Sequence, residues 1–220
     1  AYRWLDAFMM FLWIILPMFF ARFAFVKKNR EELSKILTMS QIISGIPMIF
    51  VSCFVWFYGE QLFFLLGSSS IEEIIEMTIC LKILFVAVFI HAFFACLGTL
   101  LSATGGENYI NRMLLFSIGM NVALNFFLLP LMGIAGAAIA TVISTFFISV
   151  SYLIYVVKKQ HVSIDIMIFL KLFILAIVTG FAFYMNNHLH VEWWLASIIS
   201  GIALAAAAFL LKFHRIVLKK

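Results

Sequence analysis

A chain of 220 residues that is 65% hydrophobic, 11% charged and has a mean hydropathy of +1.15 cannot be an ordinary water-soluble domain. Soluble domains run at roughly 45–50% apolar and about 25% charged, and a fold of this size has no interior large enough to hide the excess. The formal charge of +5 therefore points to anchoring near anionic lipid rather than to nucleic acid.

Seven apolar segments follow in chain order: Trp4–Val26, Ile36–Tyr58, Met77–Ala103, Met113–Leu129, Ile134–Val157, Ile166–Asn186 and Trp193–Lys212. A membrane-spanning helix needs about 20 mainly apolar residues. The alternating strands of a barrel, each about ten residues long, do not occur. The sequence predicts an all-α, polytopic transmembrane helix bundle of about seven spans.

Lys27, Lys28, Arg30 and Lys35 follow the first segment, and Arg112 lies between the third and fourth. Lys158 and Lys159 follow the fifth, and Lys212, Arg215, Lys219 and Lys220 close the chain. The alternate connections hold Glu60, Glu72, Glu73, Glu76 and Glu192, with no Lys or Arg. Short basic connections stay cytoplasmic, so Ala1 is expected outside and Lys220 inside. Trp56, Tyr58, Trp193 and Trp194 fall near the outer ends, where an aromatic belt belongs. The chain begins at Ala, and its first segment has neither a basic leader nor a cleavage site. It is expected to be part of a larger protein with at least one preceding span.

Inside the fourth segment, Ser117, Asn121 and Asn125 are spaced i, i+4, i+8 and share one helical face. An amide facing lipid would lose several kcal/mol, so this face must meet protein or a water-filled cavity. Interhelical glue, worth on the order of 0.6 kcal/mol per bond, is the favoured reading; a cavity lining that meets a polar substrate is the other. Pro130 is expected to end this helix and Gly133 to open a very short turn. The pairs Gly133/Ala137, Gly136/Ala140 and Ala140/Ser144 are small-xxx-small steps, which let two helices approach closely. The fourth and fifth helices should be tight antiparallel neighbours.

The other polar residues support bland readings at least as well. Lys82, near the outer end of the third helix, can snorkel to the headgroups, or face a cavity. His91, deeper on that helix, suits packing or a proton site. Arg3 and Asp6 are i, i+3 at the outer end of the first helix and can pair, worth about 0–1 kcal/mol at a surface. His188 and His190 lack a convergent third ligand for a metal. Glu72, Glu73 and Glu76 read as the solvated face of a helix entry. Gly105-Gly106 is a turn, with no GxxxxGK[ST] pattern after it. Cys53, Cys80 and Cys96 lie inside spans and form no CxxC, so they read as small apolar residues rather than a disulfide framework. No nucleophile–base set or acidic metal cluster appears, and no cofactor is implied.

The stretch "ALNFFLLPLMGIAGAAIATVIS" resembles one that recurs in prokaryotic polysaccharide (O-antigen-type) flippases of the multidrug/oligosaccharidyl-lipid/polysaccharide exporter superfamily. "AYRWLDAF", with "LPMFFARFA" after it, resembles the helix in their second half that carries Arg-x-x-acid near its outer end and a Pro further in. "SGIPMIFVSCFVWFYGEQLFFLLG" resembles the next helix with its loop, and "LLSATGGEN" the inner turn before the Asn-bearing helix. The resemblance covers about residues 1–157, in order and in register.

It implies five helices of the second lobe of a two-lobe alternating-access transporter (1–157), with two extra C-terminal helices (158–220). The N-terminal half of the protein would be a missing partner. The implied activity is movement of a lipid-linked (polyprenyl-pyrophosphate) oligosaccharide from the inner to the outer leaflet of the cytoplasmic membrane, with no covalent chemistry. Its candidate cavity residues are Arg3, Asp6, Lys82, Asn121 and Asn125, and in the family the matching Arg lines the central cavity. Alternatives are a cation-coupled multidrug exporter of the same superfamily, which should carry mid-membrane carboxylates, a membrane-embedded glycan-modifying enzyme, which should carry a His or Asp/Glu pair, and a heptahelical receptor.

Overall fold

The computed structural model describes residues 2–65 and 70–218, leaving aside the side chains of 2–9, 11, 65, 92, 217 and 218. Among the described residues every regular element is helical: α1 (Tyr2–Phe25), α2 (Arg30–Leu65), α3 (Ile71–Ala103), α4 (Glu107–Met132), α5 (Ile134–Lys158), α6 (Ile166–His188), α7 (Trp193–Leu210) and the short α8 (Phe213–Leu218). Six of them, α2 to α7, have the length and apolar content to cross a membrane among the described residues. The chain is thus an all-α, multi-pass membrane bundle. The seventh expected span corresponds to α1, of 24 residues, whose described apolar part is Leu12–Phe25.

α2, α3 and α6 begin where polar side chains satisfy their first free N–H groups. Asn29 Oδ1 accepts from the N–H of Glu31 and Glu32 at the start of α2. Ser70 Oγ accepts from Glu73 N at 3.3 Å before α3, and Asp165 Oδ1 from Met167 N at 2.9 Å before α6. Several helices exceed their apolar segments, because these capped polar turns extend the helix beyond the hydrocarbon stretch. α2 is 36 residues long and bends at Tyr58, where φ is −120° and ψ 17°.

α3 is the central post and packs against α1, α2 and α5. α1 runs parallel to it, with Leu12 in the apolar cluster of Leu81, Phe85 and Val88, and Phe19 and Phe23 in that of Cys96, Leu97 and Leu100. α2 carries α6, and α6 carries α7. A third cluster, Tyr58, Phe183 and Ala196, joins the far ends of α2, α6 and α7, and Tyr58 Oη donates to Val191 O at 3.3 Å.

The charged ends are segregated. Lys27, Lys28 and Arg30 share a cleft with the 104–106 turn and Gln160, and Ser34 Oγ donates to Ser163 O at 2.6 Å. Glu73 and Glu76 lie at the opposite end, beside Ile134 and the α4–α5 turn.

α4 and α5 are antiparallel neighbours, as expected. Tyr109 Oη donates to Ser151 O at 3.0 Å, and Ser117 Oγ to Ser144 O at 3.2 Å. Near the turn, a Cβ added at Gly136 would lie 2.3 Å from the carbonyl oxygen of Leu128. One expectation is corrected. Pro130 does not end α4, which continues to Met132 and stops at Gly133, with φ +59°. A proline in the last turn forfeits one N–H bond, while Gly133 still closes the helix by donating to Leu129 O at 2.9 Å.

Gly136→Ala already forces a carbon into a backbone carbonyl, so Gly136→Leu is expected to destabilise the fold by about 3 kcal/mol or more. Gly119→Ala meets nothing within 4 Å and should be neutral. Thermal melting of the detergent-purified variants checks both. Equal melting of Gly136→Leu and wild type would refute the close approach.

Candidate functional site

α3 and α4 each pack on α5 but touch one another only slightly. Two helices splayed on a third leave a groove, and here it holds a cleft of about 470 Å³. α3 contributes His91 and Gly98, α4 contributes Ser117 and Asn121, and α5 contributes Thr141, Ser144, Thr145, Ser149 and Tyr152. Leu114, Ile118, Val122 and Phe94 supply apolar wall.

The small residues that bring α5 close to its neighbours also shape this space. Tyr152 seats against Gly98, where an added Cβ would come within 3.3 Å of its ring. The α5 hydroxyls recur at helical spacing, 141, 144/145, 149, and so line one face. Thr141 Oγ1 donates to Ala137 O at 3.1 Å and Ser144 Oγ to Ala140 O at 2.7 Å. Back-bonding of this kind uses the hydroxyl hydrogen and leaves the oxygen free to accept from a ligand.

The two asparagines do not reach another helix. Asn125 Nδ2 donates to both the backbone oxygen and Oδ1 of Asn121, each at 2.9 Å. Asn121 Nδ2 has no hydrogen bond among the described residues, and Asn121 lines the cleft. Asn125 stands one turn further along and orients it. Interhelical polar bonds come from other residues, among them Tyr109 to Ser151 O, Ser117 to Ser144 O, and Asn186 Nδ2 to Ser200 Oγ at 3.1 Å between α6 and α7. Asn186 and Ser200 are both buried, 6% and 0% exposed, so a structural amide in this chain is distinguishable from Asn121.

Of the residues predicted for the cavity, then, Asn121 borders the cleft and Asn125 holds Asn121. Lys82 is not in it. It lies half-buried on α3, nine residues before His91, or about 13 Å along the axis. The side chains of Arg3 and Asp6, in the first turns of α1, lie outside the described residues. Sequence reasoning takes Ser144 as a small packing residue and does not single out Thr141, Thr145 or Ser149, whose shared face lines the cleft. Among the described residues no group of three His, Cys, Asp or Glu side chains is placed to hold a metal.

No family model, curated protein or solved structure matches the chain.

The two kinds of asparagine should respond differently to truncation. Asn186→Ala strands Ser200 in the α6–α7 contact and is expected to cost about 1 kcal/mol. Asn121→Ala removes only a bond within α4, and its melting temperature should stay near wild type. Equal losses would make Asn121 a packing residue.

Proposed function

We propose that this chain is the second-lobe portion of a transporter that moves a lipid-linked oligosaccharide across the cytoplasmic membrane. The carrying observation is the cleft of about 470 Å³ in an otherwise apolar bundle, lined by hydroxyls, an amide and an imidazole. Sugar hydroxyls need donors and acceptors in alternation, and hydroxyl and amide groups supply both. The volume lies within the roughly 300–1,000 Å³ of small-ligand sites. Tyr152 and His91 offer flat surfaces for the faces of sugar rings.

The topology suits this task. α4 presents Leu115, Phe126 and Phe127 outward, so a glycan head can enter beside α4 while its polyprenyl tail stays in lipid or along that face. The described lining carries no carboxylate, which suits a neutral polar head better than a coupling cation. Movement requires no bond to be made or broken. The basic end of the bundle is assigned to the cytoplasm by the positive-inside rule. In intact cells a membrane-impermeant thiol reagent should then label His190→Cys and spare His161→Cys.

Arg3 and Asp6 enter through the resemblance to polysaccharide flippases, where the matching Arg faces the central cavity. A guanidinium can hold phosphate oxygens in a fork, and a carboxylate three residues on keeps it oriented and competes for it at release. Pyrophosphate is the constant part of otherwise varied lipid-linked glycans, so a fixed cation suits it. Arg3→Ala in the full-length protein is expected to abolish surface glycan in a deletion strain with membrane protein levels unchanged. Arg3→Lys should restore it in part, because an ammonium lacks the fork. Full export by Arg3→Ala would remove the pair from the transport path.

A further inference from the structure

A second cleft, of about 420 Å³, opens at the basic end of the bundle. Lys27 and Lys28 from the α1–α2 connection and Arg30 from the start of α2 form one wall. Thr104, Gly105 and Gly106 form the other, and Tyr155 and Gln160 close it from the end of α5. It is separate from the α3–α4–α5 groove, and the transport reading makes no use of it.

Four observations converge there. The cations make no ion pair: among the described residues the ion pair at this end is Lys35–Glu31, at 2.7 Å, and Lys27, Lys28 and Arg30 have none. The N-terminus of α4 opens onto the cleft at Gly106 with no side-chain cap, so its first N–H groups face this end without an acceptor side chain. The lip is bare backbone, since Gly105 has φ +86° and nothing within 4 Å of an added Cβ.

The fourth observation is an orphaned acceptor. Gln160 is 8% exposed, and its Nε2 donates to Thr104 Oγ1 at 2.6 Å. Thr104 Oγ1 in turn donates to Leu100 O at 2.7 Å, which fixes the hydroxyl as the acceptor of the amide and so the amide's orientation. Gln160 Oε1 is left buried with no hydrogen-bond partner. A buried carbonyl without a donor is costly, and such atoms call for an explanation.

The ligand these groups ask for has a phosphate for the cations and the α4 N–H groups, and a neighbouring hydroxyl for Gln160 Oε1. Its setting adds acyl chains: Phe25 is 91% exposed just before Lys27, and Ile154 and Val157 are exposed on α5. Basic pockets between transmembrane helices are established sites for lipid headgroups. Glu107, the first residue of α4, brings a negative charge to the same end. It weighs more against a dianionic phosphate monoester than against a monoanionic diester.

We propose that the basic cleft formed by Lys27, Lys28, Arg30, the 104–106 turn and Gln160 binds the headgroup of an anionic phospholipid with a free hydroxyl, the chemistry of phosphatidylglycerol. The cations and the helix terminus select the phosphodiester, and Gln160 reads the hydroxyl. The site holds α1, α2, α4 and α5 together at the membrane surface, so occupancy tightens that end of the bundle.

The test is retention of lipid by the full chain taken from phosphatidylcholine nanodiscs doped with either phosphatidylglycerol or phosphatidic acid, read by native mass spectrometry. Wild type should retain phosphatidylglycerol over phosphatidylcholine by about tenfold or more, and Lys27→Ala/Lys28→Ala/Arg30→Ala should lose that preference. These side chains are exposed, so their removal leaves the core intact. Gln160→Leu, or Gln160→Met if Leu melts early, should bring phosphatidylglycerol down to the level of phosphatidic acid without lowering phosphatidic acid itself. Inorganic phosphate in millimolar excess should not displace the lipid. Equal retention of phosphatidylglycerol and phosphatidylcholine, an unaltered triple variant, or displacement by inorganic phosphate would each overturn the proposal. Gln160 variants that still prefer phosphatidylglycerol to phosphatidic acid would overturn the reading of the hydroxyl.

Discussion

The close approach of α4 to α5 governs the rest of the arrangement. In a bilayer, apolar side chains gain nothing by leaving lipid for one another, so helices associate through shape and a few polar bonds. α4 has little else to hold it: most of its large side chains are exposed, and it meets α3 only slightly. Gly136 lets the two backbones meet at the Leu128 carbonyl, and the Ser117–Ser144 and Tyr109–Ser151 bonds continue the seam. Because α4 is fixed mainly through α5, it stands away from α3 over most of its length and the cleft exists. A bulkier α5 would push α4 outward; a stickier α4–α3 contact would close the space.

That constraint also sorts the polar side chains. Some bond across helices, as with Ser117 to Ser144 O at the edge of the cleft and Asn186 to Ser200 in the α6–α7 seam. Others in the cleft are satisfied within their own helix, as with Thr141, Ser144 and the Asn121–Asn125 pair. Self-satisfaction allows a polar lining to be stable without a ligand and still offer free lone pairs and an amide N–H to one. The same contrast applies at the basic end, where Gln160 Oε1 is satisfied by neither route.

Much of this was legible in the sequence because hydropathy acts over long stretches. The apolar segments, the segregation of basic and acidic connections, and the α4–α5 pairing all follow from composition and small-residue spacing. Helix ends were less legible. α2 and α3 run past their apolar stretches because Asn29 and Ser70 cap polar turns, and α4 passes through Pro130 because a last-turn proline forfeits one bond. Of the α5 hydroxyls, small-residue spacing singles out Ser144 alone, as a packing residue, and leaves Thr141, Thr145 and Ser149 unmarked. Their role in the cleft depends on α4 and α3 splaying apart, a tertiary fact that spacing on one helix does not contain. Lys82, outside the cleft, shows the same limit: a cation on an apolar helix marks a polar neighbourhood without saying which.

The central claim is that the α3–α4–α5 cleft is a polar, water-reachable compartment within the membrane. The most direct measurement is alkylation of single cysteines in the native membrane, in a background with Cys53, Cys80 and Cys96 replaced by serine. A cysteine at Asn121 should react readily with a small, charged thiol reagent, while one at Phe126, 78% exposed on another face of α4, should stay unreactive because it meets lipid. An unreactive cysteine at Asn121, or equal reactivity at both positions, would contradict the account.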